Sequence, residues 1–463
     1  MAYRGSASLL NFFIFNSKYG QREGEEEKKI MFYFPDDADI DTKIKNIGLA
    51  EAIVQFSSTF SELPCQSVHT QKTRVLFVEP EKGFWMGMTV SLPFKDKTKD
   101  GQAYTEFRED DVQDSVFEAV LILAYKMFKL FNGTFYHVLE RADDDVQSLK
   151  QRLGHFYNKY LLTLKLSQCD LLDVFNGIHF LPLDKNTYLR IQCFINCLEA
   201  NFPMVKYTAF LYNDKLVWSG LEQEDMRTMY QYLITSLFPT YMTQEHQGGS
   251  QAKPQGSGPS QFCKFMTGPP DLTDEASMGK LPRVFVNTET ENEECYLLVY
   301  RAMSATICML ISVKCALNVP VCRKLDGMLA PQMTKLASDI KEQHYQRAAP
   351  PSTTDPMFKF IYFNHMNLAQ QTTVHMDLQK RAGINIPQEI MRLLSDINGD
   401  LTRSNHDGET IVKTTSDFWV VGKKSDSREF YVVINQKNAN LIEINEEVKR
   451  LCTSHLNSVF FLD

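Results

Sequence analysis

The sequence holds no apolar run near the ~20 residues a bilayer-spanning helix needs; its longest candidate, Met303 to Val319, is broken by Lys314. No basic surplus exists either. Against 49 Lys and Arg stand 57 Asp and Glu, a net charge of -8, and that balance argues against a nucleic-acid binder, which needs a positive field to neutralise phosphates. The ten cysteines include no C-x-x-C pair, so they read as buried thiols of a reducing compartment, not as a disulfide scaffold. The N-terminus lacks a basic flank before Leu9-Leu10 and Phe12 to Phe15, and it is expected to be a strand, not a signal peptide.

Catalytic signatures are missing as well. There is no Walker loop, no glycine-rich dinucleotide turn, no G-x-S-x-G elbow and no H-E-x-x-H, so neither catalytic nor cofactor-binding residues are assigned. His365 and His375 share a loop-like stretch without a cysteine or carboxylate at ligand spacing, which argues against a metal site. Cys193 and Cys197, one helical turn apart, read as packing residues. Asp143 to Asp145 precede a helix and suit its dipole.

What is present is a repeated pattern. The chain is 463 residues long, 43% hydrophobic and 23% charged, which suits two to four globular domains. Tyr207 to Leu221 reads as a hairpin turning at Asn213-Asp214, with a helix over Glu224 to Phe238 stopped by Pro239. Its first half is echoed by Leu9 to Asn16 and by Phe358 to Asn364, each closing on an aromatic followed by Asn. Three such copies indicate a repeated module.

In the first copy, strands at Leu9 to Asn16 and Ile30 to Phe34, a helix over Ile47 to Phe60, and strands at Val75 to Val78 and Trp85 to Leu92 precede a long helix over Glu106 to Phe131. A helical span from Thr134 to Phe202 joins it to the second copy. There, strands at Phe262 to Met266, Val284 to Asn287 and Tyr296 to Tyr300 precede a run, Ala305 to Val313, that suits strand or helix. A helix opened by Pro320 follows, with Leu325, Leu329, Met333, Leu336 and Ile340 as its stripe. In the third copy, Pro387 opens a helix carrying Ile390, Leu394, Ile397 and Leu401. Strands over Thr410 to Val412, Phe418 to Val421 and Phe430 to Ile434 follow, with Lys423 to Arg428 as the last turn. Asn440 and Glu443 form a capping-box-like start to the final helix, and Val459 to Leu462 are too apolar for a free tail. The expected organisation is 1–133, a helical connector 134–203, 204–346 with a flexible loop at 243–261, a linker 347–357, and 358–463. The six polar residues His69 to Arg74 read equally as an exposed loop or charged edge strand and as a partner contact.

The blocks HTQKTR (69–74), KLFNGTF (129–135), KYTAFLYNDKLVWSGLEQEDMR (206–227), FKFIYFNHMNLA (358–369) and DFWVVGKKSD with INQKNANLIEINEEVK (417–449) resemble the Ccz family of vacuolar fusion proteins, over essentially the whole chain. The resemblance implies an α/β (α+β) fold of three longin-like domains, each a five-stranded antiparallel sheet flanked by helices. It implies a heterodimer with a Mon subunit, joined in animals by a third scaffold subunit with a propeller. That complex is the guanine-nucleotide exchange factor for the Rab GTPase of late endosomes, lysosomes and autophagosomes, to which the otherwise cytoplasmic complex is recruited peripherally. Exchange requires only differential affinity for GTPase states, not covalent catalysis. On this view Ala50, Val54 and Gln55 of the first helix, with His69, Thr70, Gln71, Lys72 and Arg74 beside it, belong to the platform shared with Mon and the GTPase. The alternative is a longin-type trafficking adaptor without exchange activity.

Overall fold

The computed structural model describes residues 6–62, 64–99, 102–248, 263–274, 278–287, 292–347, 358–375, 386–404 and 406–455. The linker 347–357 lies outside them apart from residue 347, as do the final apolar run from Val459 and all of the 243–261 loop beyond residue 248. The chain divides into two compact units, residues 1–169 with 181–345, and residues 170–180 with 346–463.

The first unit contains two sheets. Its first module runs β1 (Ser8–Asn16), β2 (Ile30–Phe34), α1 (Ile40–Ser57), β3 (Ser67–His69), β4 (Thr73–Glu81) and β5 (Phe84–Ser91), in the antiparallel order β2-β1-β5-β4-β3. The period-2 alternation of β1 divides its aromatics between two layers. Phe13 and Phe15 pack with Ile47, Ala50 and Val54 of α1, while Phe12 turns to the other face. A separate hairpin follows, β6 (Phe94–Lys99) and β7 (Gln102–Phe107), then α2 (Asp114–Asn132), α3 (Phe135–Glu140) and α4 (Val146–Tyr160). Tyr157 of α4 meets Phe12 at 5.0 Å and stacks on Phe128 of α2 at 5.7 Å.

Several expected boundaries move. The first helix starts at Ile40, capped by the Asp39 side chain, and not at Ile47. The long helix starts at Asp114, because Gln102 to Phe107 pair with β6 and Glu109 to Asp111 form a single 3₁₀ turn. The span 134–203 is not a separate connector. Its apolar residues are parcelled out: α3 and α4 complete the first module, α5 (Leu171–Phe175) belongs to the second unit, and α6 (Lys185–Asn201) packs on the second sheet.

The second module continues with β8 (Val205–Tyr212), β9 (Lys215–Ser219), α7 (Gln223–Tyr232), a π turn over Leu233–Leu237, α8 (Phe238–Gly248), β10 (Cys263–Phe265), β11 (Arg283–Val286), β12 (Glu293–Ala302), β13 (Ala305–Ser312) and α9 (Val319–Arg347). The β8–β9 hairpin turns at Asn213, whose φ of +54° is one that Asn tolerates. Pro239 does not stop the helix. The wider π turn before it accommodates a residue that has no N–H and whose ring would crowd the preceding turn. The ambiguous run Ala305 to Val313 is strand β13. Sheet order is β10-β12-β13-β8-β9, with β11 on the same edge of β12 as β10. The third strand is thus split in two. α6 and α9 bury Ile191, Ile195, Leu325, Leu329 and Met333 against this sheet. The two modules of this unit meet where Lys126 reaches Glu224 at 2.7 Å, Arg141 reaches Glu294 at 3.0 Å, and the His137 ring meets Phe285 at 5.3 Å.

The second unit holds β14 (Phe358–Asn364), β15 (Ala369–Thr372), α10 (Gln388–Ser404), β16 (Gly408–Lys413), β17 (Phe418–Ser425), β18 (Arg428–Asn435) and α11 (Leu441–His455), in the order β15-β14-β18-β17-β16. All three sheets therefore share one connectivity: second, first, fifth, fourth, third. The expected third-copy turn shrinks to Asp426-Ser427, and β15 separates His365 from His375. Asn440 and Glu443 cap α11 reciprocally, as expected. α10 covers one face of the sheet and α11 the other.

The segment 170–180 is part of this unit's core. Leu171 and Phe175 are buried with Ile361, Phe363, Leu394 and Tyr431, and Phe175 stacks on Phe363 at 4.7 Å. Ile178 bridges Ala369 in parallel, beside the β15 edge, and the Gly177 N–H donates to Gln370 Oε1 at 2.9 Å.

Candidate functional site

The eight residues expected to form one platform divide three ways. Ala50 and Val54 face inward and are buried. Gln55 is exposed, its Nε2 donating to Glu51 Oε1 at 3.3 Å. His69 to Arg74 are not a loop beside α1 but the end of β3, a tight turn and the start of β4. Thr70 holds that turn, its N–H donating to the Thr73 carbonyl at 3.0 Å and its Oγ1 accepting from the Thr73 N–H at 2.9 Å. Asp114, the first residue of α2, gathers the base of the turn: His69 Nε2 lies 2.7 Å from its carboxylate, Ser67 Oγ donates at 2.5 Å, and Arg74 Nε lies at 3.3 Å. Arg74 is only 4% exposed. It anchors the hairpin and is closed to any partner, while Thr70, Gln71 and Lys72 remain exposed.

Nor do the exposed members adjoin. Thr73 pairs with Ser91 at one end of the sheet. Gln55 lines a cleft of about 470 Å³ with Asn16, Glu79, Gly83 and Trp85, at the other end. The six residue-to-residue steps along the strand from Thr73 to Glu79 correspond to roughly 20 Å.

The surface that stands out is the outer side of α1 and of the turn, residues 58–60, that follows it. Leu49, Phe56 and Phe60 are 63%, 67% and 76% exposed, and the Phe56 and Phe60 rings meet edge to face at 4.8 Å. Leu49, Ile53, Phe56 and Phe60 recur at three and four residues, forming a stripe opposite Ile47, Ala50 and Val54. An apolar row that the fold leaves in water is the mark of a binding surface. The signal was present in the sequence as a second helical stripe, masked because the inner stripe already accounted for a helix there.

Elsewhere, ionisable clusters have structural tasks. Glu81 accepts from Phe135 N (2.5 Å), Tyr136 N (3.0 Å) and Tyr125 Oη (2.8 Å), so it caps α3; burial pushes its carboxyl up despite those bonds. Glu429, buried in the second unit, faces His365 Nε2 at 2.8 Å and accepts from Asn398 Nδ2 at 2.8 Å and Tyr431 Oη at 2.6 Å. Burial raises this carboxyl, but those partners, His365 first, hold it below the usual carboxylate range. His375 Nε2 lies 2.6 Å from Asp170, and that bond raises the imidazole against the opposing effect of burial. None of these clusters sets a nucleophile beside a base. Among the described residues no group of three His, Cys, Asp or Glu side chains could hold a metal ion, and no helix is long and apolar enough to cross a membrane. The cysteines depart from expectation: all ten are free, but only Cys295, Cys308, Cys322 and Cys452 are buried, and Cys193 and Cys197 are exposed on α6, facing away from Ile191, Ile195 and Leu198.

Compared with known proteins, residues 9–133 match the family described as first longin domain of INTU, CCZ1 and HPS4. Residues 205–334 and 354–451 match Intu longin-like domains 2 and 3. The chain is 53% identical over 465 residues to the vacuolar fusion protein CCZ1 homolog of Xenopus laevis, covering 99% of this chain and 98% of that one. It is 52% identical to the homolog of Nematostella vectensis over the full length of both, and 31% identical to that of Dictyostelium discoideum over 98% of each. The three sheets described above are longin-like domains, in the α/β class expected.

Proposed function

Since the chain belongs to the vacuolar fusion protein CCZ1 family, and so to proteins of vesicle trafficking, we propose that it is the non-catalytic subunit of a heteromeric guanine-nucleotide exchange factor. Its partner is a Mon-type subunit, with a propeller-bearing scaffold as a third member. Its GTPase is the Rab of late endosomes and lysosomes. The observation that carries the reading is the exposed row Leu49 and Phe56 on α1 with Phe60 in the turn that follows it. Permanent subunit interfaces are built around apolar and aromatic anchors of this kind, so the row is the seat of the Mon-type partner's first longin domain, with Gln55 at its rim. Thr70, Gln71 and Lys72, at the other end of the sheet, form a separate polar contact to the GTPase. Such a factor works by holding the nucleotide-free state more tightly than the nucleotide-bound one, and a surface without acid, base or metal suffices for that.

The test is co-purification with the Mon-type partner and nucleotide release from late-endosomal Rab, for wild type and Phe56→Ala/Phe60→Ala. Loss of two central aromatic anchors should weaken the complex by at least ~2 kcal/mol, about thirtyfold, and slow release in proportion. Undiminished assembly and release would sink the reading. Intact assembly and GTPase binding without any nucleotide release would instead favour the adaptor alternative.

A further inference from the structure

We propose that the groove between α6 and α9 is a binding site for monovalent copper, held by the thiolates of Cys193 and Cys197 with the thioether of Met328 as third donor. Cys193, Cys197 and Met328 line one groove of about 540 Å³ in the second module. Cys193 and Cys197 stand one helical turn apart on α6, so both thiols present on the same side of the helix. Both are exposed, and neither is in a disulfide. Met328 approaches from α9 on the opposite wall.

The donor set selects the ion. Two thiolates and a thioether are soft ligands, which favour copper(I) over the harder divalent ions of the cytosol. Neither histidine nor carboxylate from the groove completes a zinc-like set of four, because its polar side chains are Arg190, Gln332 and Lys335. Binding proceeds by loss of one proton from each thiol and formation of two copper–sulfur bonds. The two protons pass to solvent and the resulting bis-thiolate carries one negative charge, which Lys335 on the same wall matches, while Arg190 there is already paired with Asp339 at 2.6 Å.

Three buried thiols of the second module are poor ligands. Burial pushes Cys295 and Cys322 up to about 11 and Cys308 to about 12, so each stays protonated inside its core. The conclusion also accounts for an oddity of composition, since a cysteine pair on the solvent side of a helix contributes nothing to packing.

The experiment is anaerobic titration of the full chain with copper(I), kept reduced by ascorbate, against the chromophoric chelator bicinchoninate. Wild type should withdraw one copper per chain. Cys193→Ser/Cys197→Ser should withdraw none at the same chelator concentration while melting at the wild-type temperature, because both side chains are solvent-facing. Met328→Leu, which keeps both thiols, should bind about tenfold more weakly. Three results would each overturn the proposal: an undiminished equivalent bound by the double serine variant, unchanged affinity in Met328→Leu, or displacement of the copper by an equal concentration of zinc.

Discussion

At the scale of single residues, the pair formed by His375 and Asp170 makes a pH-dependent clasp. Asp170 raises the His375 imidazole, and burial pushes the neighbouring Asp173 carboxyl up to about 6. Asp170, Asp173 and, opposing them, Lys359 are the charges acting on the imidazole. Both shifts are upward, so both favour the protonated state when the segment is docked. The Asp173 contribution falls away as pH rises towards 6, and the His375 contribution is lost as pH rises through its raised value above 6.5. His375→Ala should therefore cost more stability at pH 6 than at pH 8 in urea unfolding followed at the second unit. An equal cost at both values would show that the ion pair does not hold the segment. Neither histidine's partner was legible from spacing, because Asp170 lies 205 residues before His375 and Glu429 lies 64 residues after His365. The solvent side of Cys193 and Cys197 was legible in principle: drawn on a helix, they fall opposite Ile191, Ile195 and Leu198, but thiol composition alone favours burial.

Among elements, the short ones carry the surprises. Strong periodic stretches such as the α9 stripe and the three aromatic first strands read correctly, because many residues repeat one pattern. β3 and β15, of three and four residues, are too short for any alternation to register, and the β6–β7 hairpin is polar enough to pass for loop. α5 has five residues, yet it is as much a part of the third sheet's core as α10. Phe175 is buried between Phe363 and Tyr431, with ring centroids at 4.7 and 6.0 Å. Phe175→Ala should destabilise the second unit by about 3–5 kcal/mol. Urea unfolding of the full chain, read by the environment of Trp419 in β17, measures it; a change under ~1 kcal/mol would mean that α5 only rests on the surface.

For the whole molecule, three modules of one connectivity do not behave as three beads. The threefold repeat was readable from sequence because each module opens on the same kind of strand. The sharing of residues 134–201 among modules was not, since no local pattern says which distant core a short apolar run will join. The second unit is thus discontinuous, and cutting at the linker removes part of its core. A fragment of residues 346–463 should unfold at lower temperature and less cooperatively than the same unit in the full chain. Adding a peptide of residues 166–182 should restore much of the loss, and the Phe175→Ala peptide should not. A fragment whose melting is unaffected by the peptide would contradict this division of the chain.

The same discontinuity sets a timetable for synthesis. Gly177 leaves the ribosome 193 residues ahead of Gln370, the residue that receives its hydrogen bond. At about 5–20 residues per second that gap lasts on the order of 10–40 s, and throughout it Leu171 and Phe175 have no core to enter. The newborn chain must therefore carry an uncovered apolar segment while its middle module forms, which makes that segment the natural place for a holding chaperone to grip until the last sheet arrives.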